Sequence, residues 1–157
     1  MIFIFSYDRE DMLNSVMKSL DGEDFWIIDD GSSFKIGHPK TLRFAHGGKE
    51  KFWEKWQFAL RLAEGSDDDF FLFLQDDFLR PDMKRIMSAH EKFKHMPYAC
   101  NIINDGRNRC WNAYRAKPYD KDFNQVFFVD CGLFCNRAAL EKLKFYIKPV
   151  SPYRFKN

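Results

Sequence analysis

Residues 70–79 read FFLFLQDDFL. The first five of these are apolar without the three- and four-residue spacing of a helix, and a run that is apolar on both faces is the pattern of a central parallel strand. Asp76 and Asp77 then fall at that strand's carboxyl end. Upstream, IFIFS (2–6) and FWII (25–28) read the same way. Between them, REDMLNSVMKSL sets Met12, Leu13, Val16, Met17 and Leu20 at helical spacing, which predicts an amphipathic helix. Strand, helix, strand in so short a span predicts a βαβ unit and a parallel pair. The pattern repeats with a strand at LRFAH (42–46), a Gly47-Gly48 break, and a helix in KEKFWEKWQFALRLA that aligns Trp53, Trp56, Leu60 and Ala63. Pro81 and Asp82 open a further helix, DMKRIMSAHEKF. Strands are expected at 98–103 and 125–130, and Asn136 as the N-cap of a last helix, RAALEKLKF. Residues 104–124 are polar and aperiodic, as in a loop.

The chain of 157 residues is 45% apolar and 31% charged, a mixture that excludes a disordered chain and suits one globular domain over 1–157. No stretch approaches the roughly 20 apolar residues that span a bilayer, and MIFIF is too short for a secretory leader. The expectation is a soluble, cytoplasmic protein. Cys100, Cys110, Cys131 and Cys135 lack the CxxC spacing of a zinc site, so they are expected as small hydrophobes rather than ligands or disulfides. Charge is unevenly spread: residues 1–79 carry 9 Lys and Arg against 16 Asp and Glu, and residues 80–157 carry 16 against 7. One acidic and one basic face would follow unless the fold interleaves the halves.

Two strands end in acidic pairs, Asp29-Asp30 in WIIDDGSS and Asp76-Asp77 in FLFLQDDF. Ligands of open α/β sheets bind beyond the carboxyl ends of the strands. Adjacent carboxylates repel unless a cation neutralises them, and hard divalent metals prefer oxygen ligands, so the pairs point to a metal.

The order IFIFSYDRE, WIIDDGSS, HGGKEKFWEKWQFALRLAEG, DDFFLFLQDDFLRPDM, VDCGLFCNRAALEKL resembles the nucleotide-diphospho-sugar-binding core of GT-A glycosyltransferases, over about residues 1–145. The resemblance implies an α/β, Rossmann-like fold with a mostly parallel central sheet and helices on both faces, residues 1–80 forming the donor half and 81–157 the acceptor side. It implies a metal-dependent enzyme that moves a sugar from a nucleoside diphosphate, UDP by preference, to the hydroxyl of a glycan or other acceptor. Gln75-Asp76-Asp77 is similar to the family's DxD-type motif. Carried over by position, Asp77 would hold Mn²⁺ or Mg²⁺ and Asp76 the ribose or sugar, while Gln75 in place of an acidic residue leaves one fewer negative charge around the metal. Ser6, Tyr7 and Arg9 match the segment that meets the nucleotide. Arg9 suits phosphate because its planar fork binds it bidentately. Asp29 or Asp30 would recognise the base, followed by the turn Gly31-Ser32-Ser33. Gly48 matches the next donor-binding segment, with His46 beside it. In CGLFCNR, Cys131 replaces a family glycine, so Gly132 and Arg137 carry the match, and Asp130 is the candidate catalytic base near the acceptor. Trp53 and Trp56 have ordinary core spacing.

Rival readings meet specific obstacles. A nucleotidyltransferase of related fold has a Gly-rich basic loop after strand one, where SYDRED contains no glycine. A response regulator needs an acidic pair at strand one, and a Toprim site an early glutamate. A non-catalytic nucleotide- or metal-binding module would leave the aspartates solvated. The loop RNRCWNAYRAK (107–117) interleaves Arg107, Arg109, Arg115 and Lys117 with Trp111 and Tyr114. It suits an anionic acceptor such as a phosphorylated glycan or a nucleic acid, whose bases stack on aromatic rings, or else pairs with the acidic N-terminal half.

Overall fold

In the computed structural model, residues 1–78, 81–101, 117–118, 124–125 and 132–146 are described. Strands β1 (Ile2–Ser6), β2 (Phe25–Asp29), β3 (Thr41–Arg43) and β4 (Phe70–Gln75) alternate with helices α1 (Glu10–Ser19) and α2 (Phe52–Glu64). Helix α3 (Met83–Phe93) leads to β5 (Ala99–Asn101), and a small hairpin pairs β6 (Lys117–Pro118) with β7 (Asn124–Gln125). Strand β8 (Leu133–Asn136) runs directly into α4 (Arg137–Lys142). Among the described residues the central sheet has six strands, in the order β3-β2-β1-β4-β8-β5. β3, β2, β1 and β4 are mutually parallel, and β8 is antiparallel to both β4 and β5.

Period-two alternation divides the core. Ile2, Ile4, Ile27, Leu72 and Leu74 pack on one face with Leu13 and Val16 of α1 and Ile86, Ala89 and Phe93 of α3. Phe3, Phe5, Ile28, Phe71 and Phe73 pack on the other with Ala59, Leu60 and Ala63 of α2 and Leu140 of α4. Both faces of each central strand are therefore buried, which is why these strands read as continuous apolar runs. The second face is largely aromatic: Phe3 stacks on Phe73 at 5.2 Å between ring centroids, and Trp56 stacks on Phe5 at 4.6 Å and on Phe73 at 5.0 Å. Burying a phenylalanine side chain is worth roughly 1.5–3 kcal/mol, so this layer contributes strongly to holding β1 and β4 in place.

Helix limits follow local chemistry. The Asp82 carboxylate accepts the Arg85 N–H at 3.1 Å and starts α3, and Asn136 caps α4 through the Ala139 N–H at 3.2 Å, as its place before RAALEK predicts. Two expectations need correction. The third strand is shorter and earlier than 42–46, because the chain turns after Arg43 to bring Phe44 and His46 over the Asp29-Asp30 corner. Met12 lies off the buried stripe of α1 and is exposed. The sheet also holds a strand at Leu133–Asn136 that was not expected; of the strand expected at 125–130, Gln125 lies in the hairpin and the remainder lies outside the described residues. Among the described residues no helix is long and apolar enough to cross a membrane.

Candidate functional site

The sheet order reverses direction at β1, with β2 on one side and β4 on the other. That switch point is where the loops leaving the carboxyl ends of parallel strands part and open a crevice. Ser6, Asp29 and Gln75 end the three strands there. The backbone stitches the ends together: the Asp30 N–H donates to the Ser6 carbonyl and the Asp76 N–H to the Phe5 carbonyl, both at 2.9 Å.

On the β4 side, Asp76 is buried and Asp77 half exposed. Asp76 Oδ2 accepts the Tyr7 N–H at 2.9 Å. Arg9 Nη1 reaches both carboxylates, Asp76 Oδ1 at 3.2 Å and Asp77 Oδ2 at 2.8 Å. Burial pushes the Asp76 carboxyl above its usual range, against the opposing pull of the Tyr7 N–H and the Arg9 guanidinium. The Asp76 carboxylate, in turn, raises Arg9 above its ordinary value. Ser6 Oγ is buried beside this pair with no well-formed hydrogen bond among the described residues; its nearness to Asp76 adds a weaker pull toward the anion.

On the β2 side, the two aspartates divide their work. Asp29, fully buried, accepts both the Ser32 N–H at 3.1 Å and the Ser32 hydroxyl at 2.5 Å, and lies 3.5 Å from Arg43 Nε. It builds the turn. Asp30 faces the crevice: Oδ1 meets Lys55 Nζ at 2.6 Å and the Gly47 N–H at 3.0 Å, and Oδ2 lies 3.2 Å from His46 Nδ1. The His46 ring stacks on Tyr7 at 4.1 Å with the planes within 14°, and Tyr7 is exposed, so the pair presents a flat aromatic surface next to Arg9. Between the sides stands Asp8, in the left-handed region at φ 51°. Its N–H donates to Ser32 Oγ at 2.9 Å and its carboxylate accepts the Ser33 N–H at 2.5 Å, a bond that holds Asp8 below the usual carboxylate range.

Two glycines are required by this geometry. Gly31 has φ 79°, and a Cβ there would stand 2.7 Å from the His46 nitrogen. Gly132 has φ 72°, and its Cβ would meet the Phe78 ring at 2.4 Å, so the residue before β8 packs against that ring.

No family model and no curated protein matches this chain. Among solved structures, residues 1–349 of S. aureus TarS, a glycosyltransferase, match with a TM-score of 0.63 at 13% identity, covering 94% of this chain. The fold is GT-A-like. The chain spans half the length of the TarS chain.

The structure thus brings together Ser6, Tyr7, Arg9, Asp29, Asp30, Asp76 and Asp77 at the ends of the three strands. Gly48 precedes a 3-10 turn at Lys49–Lys51 that leads into α2, one residue from the Gly47 N–H on Asp30. Arg137 lies elsewhere: its Nε donates to the Asp68 carbonyl at 3.0 Å and its backbone N–H to the Asp69 carbonyl at 2.9 Å, at the amino end of β4. It is a brace for the α2–β4 connection. Asp130, Cys131 and the basic loop from Arg107 to Arg115 lie outside the described residues, and of Lys117 only the backbone is described. Cys135 is buried and Cys100 partly so, each a free thiol.

Lys55 and Arg43 were not expected at the site. Lys55 is 2% exposed on the buried side of α2. Its sequence signal is a lysine that interrupts the stripe Phe52, Trp56, Ala59, Ala63, where an unpaired charge could not be buried. Arg43 donates to the carbonyls of Ser32 and Phe34 and so closes the loop after β2, a contact that no local pattern announces.

The arrangement can be tested for a divalent cation. Asp76 Oδ1 and Asp77 Oδ2 converge on one point, since a single nitrogen of Arg9 touches both. No third His, Cys, Asp or Glu joins them among the described residues. Two carboxylates with the remaining positions left to phosphate oxygens and water is the donor set Mg²⁺ commonly takes in phosphate-binding sites. The residues fit.

Proposed function

We propose that this chain is the donor-binding part of a metal-dependent glycosyltransferase, acting on a nucleoside-diphosphate sugar with uridine diphosphate preferred, and transferring to an acceptor hydroxyl. The observation that carries the reading is the convergence of an aromatic face, an arginine and a carboxylate pair on one switch point of a GT-A-like sheet.

Each residue then has a chemical task. The Tyr7–His46 surface offers stacking area to a base, and Asp30 or the donors around it meet the base edge. The Arg9 fork suits a diphosphate. Asp77, half exposed, and the outward oxygen of Asp76 would hold Mn²⁺ or Mg²⁺, which when bound supplies positive charge to the departing diphosphate. Asp76 is positioned for this by the Tyr7 N–H, so the carboxylate is oriented before any ligand arrives. The acceptor's proton requires a base, for which Asp130 is the sequence candidate. The basic aromatic loop at 107–117 would hold an anionic acceptor.

Thermal unfolding with uridine diphosphate, with and without Mn²⁺, tests the reading. Ligand at 100 times Kd should stabilise the fold by about 2.7 kcal/mol, with the larger part lost when Mn²⁺ is withheld. Asp77→Asn should remove the Mn²⁺ dependence. A folded Asp77→Asn variant that takes up nucleotide and Mn²⁺ as tightly as the parent would show the assignment to be wrong.

A further inference from the structure

We infer that Arg9 is a built-in counter-ion of the acidic pair, so that a divalent cation and the Arg9 guanidinium occupy the pair in turn, and a diphosphate draws the arginine away. This rests on the metal reading of Asp76 and Asp77 given above and adds a coupling to it.

Arg9 stands where a cation bridging the pair would stand. Its Nη1 holds the two oxygens that face each other, Asp76 Oδ1 at 3.2 Å and Asp77 Oδ2 at 2.8 Å, while Asp76 Oδ2 accepts the Tyr7 N–H. A cation on those two oxygens would stand within a few ångströms of a like charge, and the lone pairs would be shared between them. Adjacent carboxylates, one of them buried, need a positive neighbour when no ligand is bound, and Arg9 is that neighbour. Its release is inexpensive. The Arg9 side chain is 48% exposed, it sits at the N-cap position of α1 without making a cap bond, and its bond to Asp77 is between two half-exposed groups. Once the guanidinium turns to a phosphate, which its planar fork matches better than it matches two separate carboxylates, both oxygens are free for the metal. Nucleotide and metal should therefore reinforce one another's binding through Arg9, and linkage requires the effect to be reciprocal.

The experiment measures Mn²⁺ binding to the whole chain, first without nucleotide and then with uridine diphosphate, by the free Mn²⁺ paramagnetic resonance signal, for the parent, Arg9→Gln, Arg9→Met and Asp77→Asn. Without nucleotide, Arg9→Gln should bind Mn²⁺ about threefold more tightly, the size of an exposed ion pair removed from competition. The gain in Mn²⁺ affinity on adding uridine diphosphate should shrink in the same variant. In metal-free buffer, Arg9→Gln should bind uridine diphosphate more weakly, so the two ligands respond with opposite sign. Circular dichroism reports folding; if the glutamine variant does not fold, Arg9→Met, which keeps an unbranched stem and removes the charge, carries the comparison and should also bind Mn²⁺ more tightly than the parent. Equal or weaker Mn²⁺ binding in the Arg9 variant, with Asp77→Asn still lowering it, would overturn the counter-ion and leave the metal reading standing. Mn²⁺ uptake by neither the parent nor the Arg9 variant would overturn both.

Discussion

Two polar clusters close opposite ends of β4, and they follow different plans. At its amino end, Asn136 pairs with Phe70 across the sheet. Its Oδ1 takes the Tyr98 and Ala139 N–H groups, each at 3.2 Å, and its Nδ2 donates to the Met96 carbonyl at 2.9 Å. Nearby, the Tyr98 hydroxyl meets His90 Nδ1 at 2.6 Å in the core. These polar groups bond inward, to one another or to neighbouring backbone. At the carboxyl end, about 20 Å away along a six-residue strand, Asp76 is equally buried, but Arg9 and Asp77 are half exposed, Tyr7 shows a ring face, and Ser6 Oγ has no well-formed hydrogen bond among the described residues. Buried polarity is common to both. Unfilled bonding capacity facing a crevice belongs to one, and that difference, rather than burial, separates a brace from a site.

The largest expected effect lies at the brace. Asn136→Ala removes a helix cap and leaves the buried Tyr98 N–H and the Met96 carbonyl without their partner, which should cost about 3 kcal/mol in urea unfolding. Uridine diphosphate affinity, measured where the variant is still folded, should stay within about twofold of the parent if the ends are independent, as distant sites usually are. A stability loss under about 1 kcal/mol would erase the contrast.

A smaller change in stability is expected at the site. Asp76→Asn keeps an acceptor for the Tyr7 N–H and removes a charge that burial disfavours, so unfolding free energy should move by less than about 1 kcal/mol. Mn²⁺-dependent nucleotide binding should nonetheless fall. Strong destabilisation here, with binding intact, would make Asp76 a brace like Asn136.

The smallest effect sharpens the comparison from the alkaline side. Burial raises the Cys135 thiol to about 12 and the Cys100 thiol to about 11, and it also raises the Tyr98 phenol. All three belong to β8, β5 or the residue before β5. Their folded values lie above the unfolded ones, so their contribution is whole below the unfolded value and is lost as pH rises through the folded value. For a thiol that window opens at its ordinary value, about 9.0. Between pH 8 and about 9.5 each buried thiol should remove just under about 1 kcal/mol of stability. Cys135→Ala should flatten that slope, and the site variants should leave it unchanged. An equal slope in Cys135→Ala would mean the thiol is not the titrating group.

Much of the first half was legible because its signals are local. The runs IFIFS, FWII and FFLFL are strands whose two faces are both covered, and the aspartates after them stand at strand ends for the same reason that strands end: polarity returns. The meeting of Arg9 with Asp76 and Asp77, expected only in the sense that all three belonged to one site, depends on β1 and β4 being neighbours, which the repeated βαβ pattern allows but does not dictate. Whether Asp29 or Asp30 faces the crevice was undecidable, since adjacent residues alternate faces and the choice rests on Lys55, His46 and Gly47 arriving from elsewhere. Strand β8 was missed because LFCN is four residues long and passes into a helix without a break. Arg137 was misplaced for the same reason, since an antiparallel β8 carries its far end away from the site.

That reversed strand also bears on how the chain folds. β8 lies between β4 and β5 in the sheet but follows both in the chain. Until β8 docks, FFLFL paired with β1 has an open hydrogen-bonding edge on its other side, and β5 lacks its partner strand. Five apolar residues without a charge or a proline on an open edge are what other nascent chains, or a second copy of this one, pair with. The folding chain therefore carries an aggregation-prone edge until Leu133–Asn136 slots between β4 and β5.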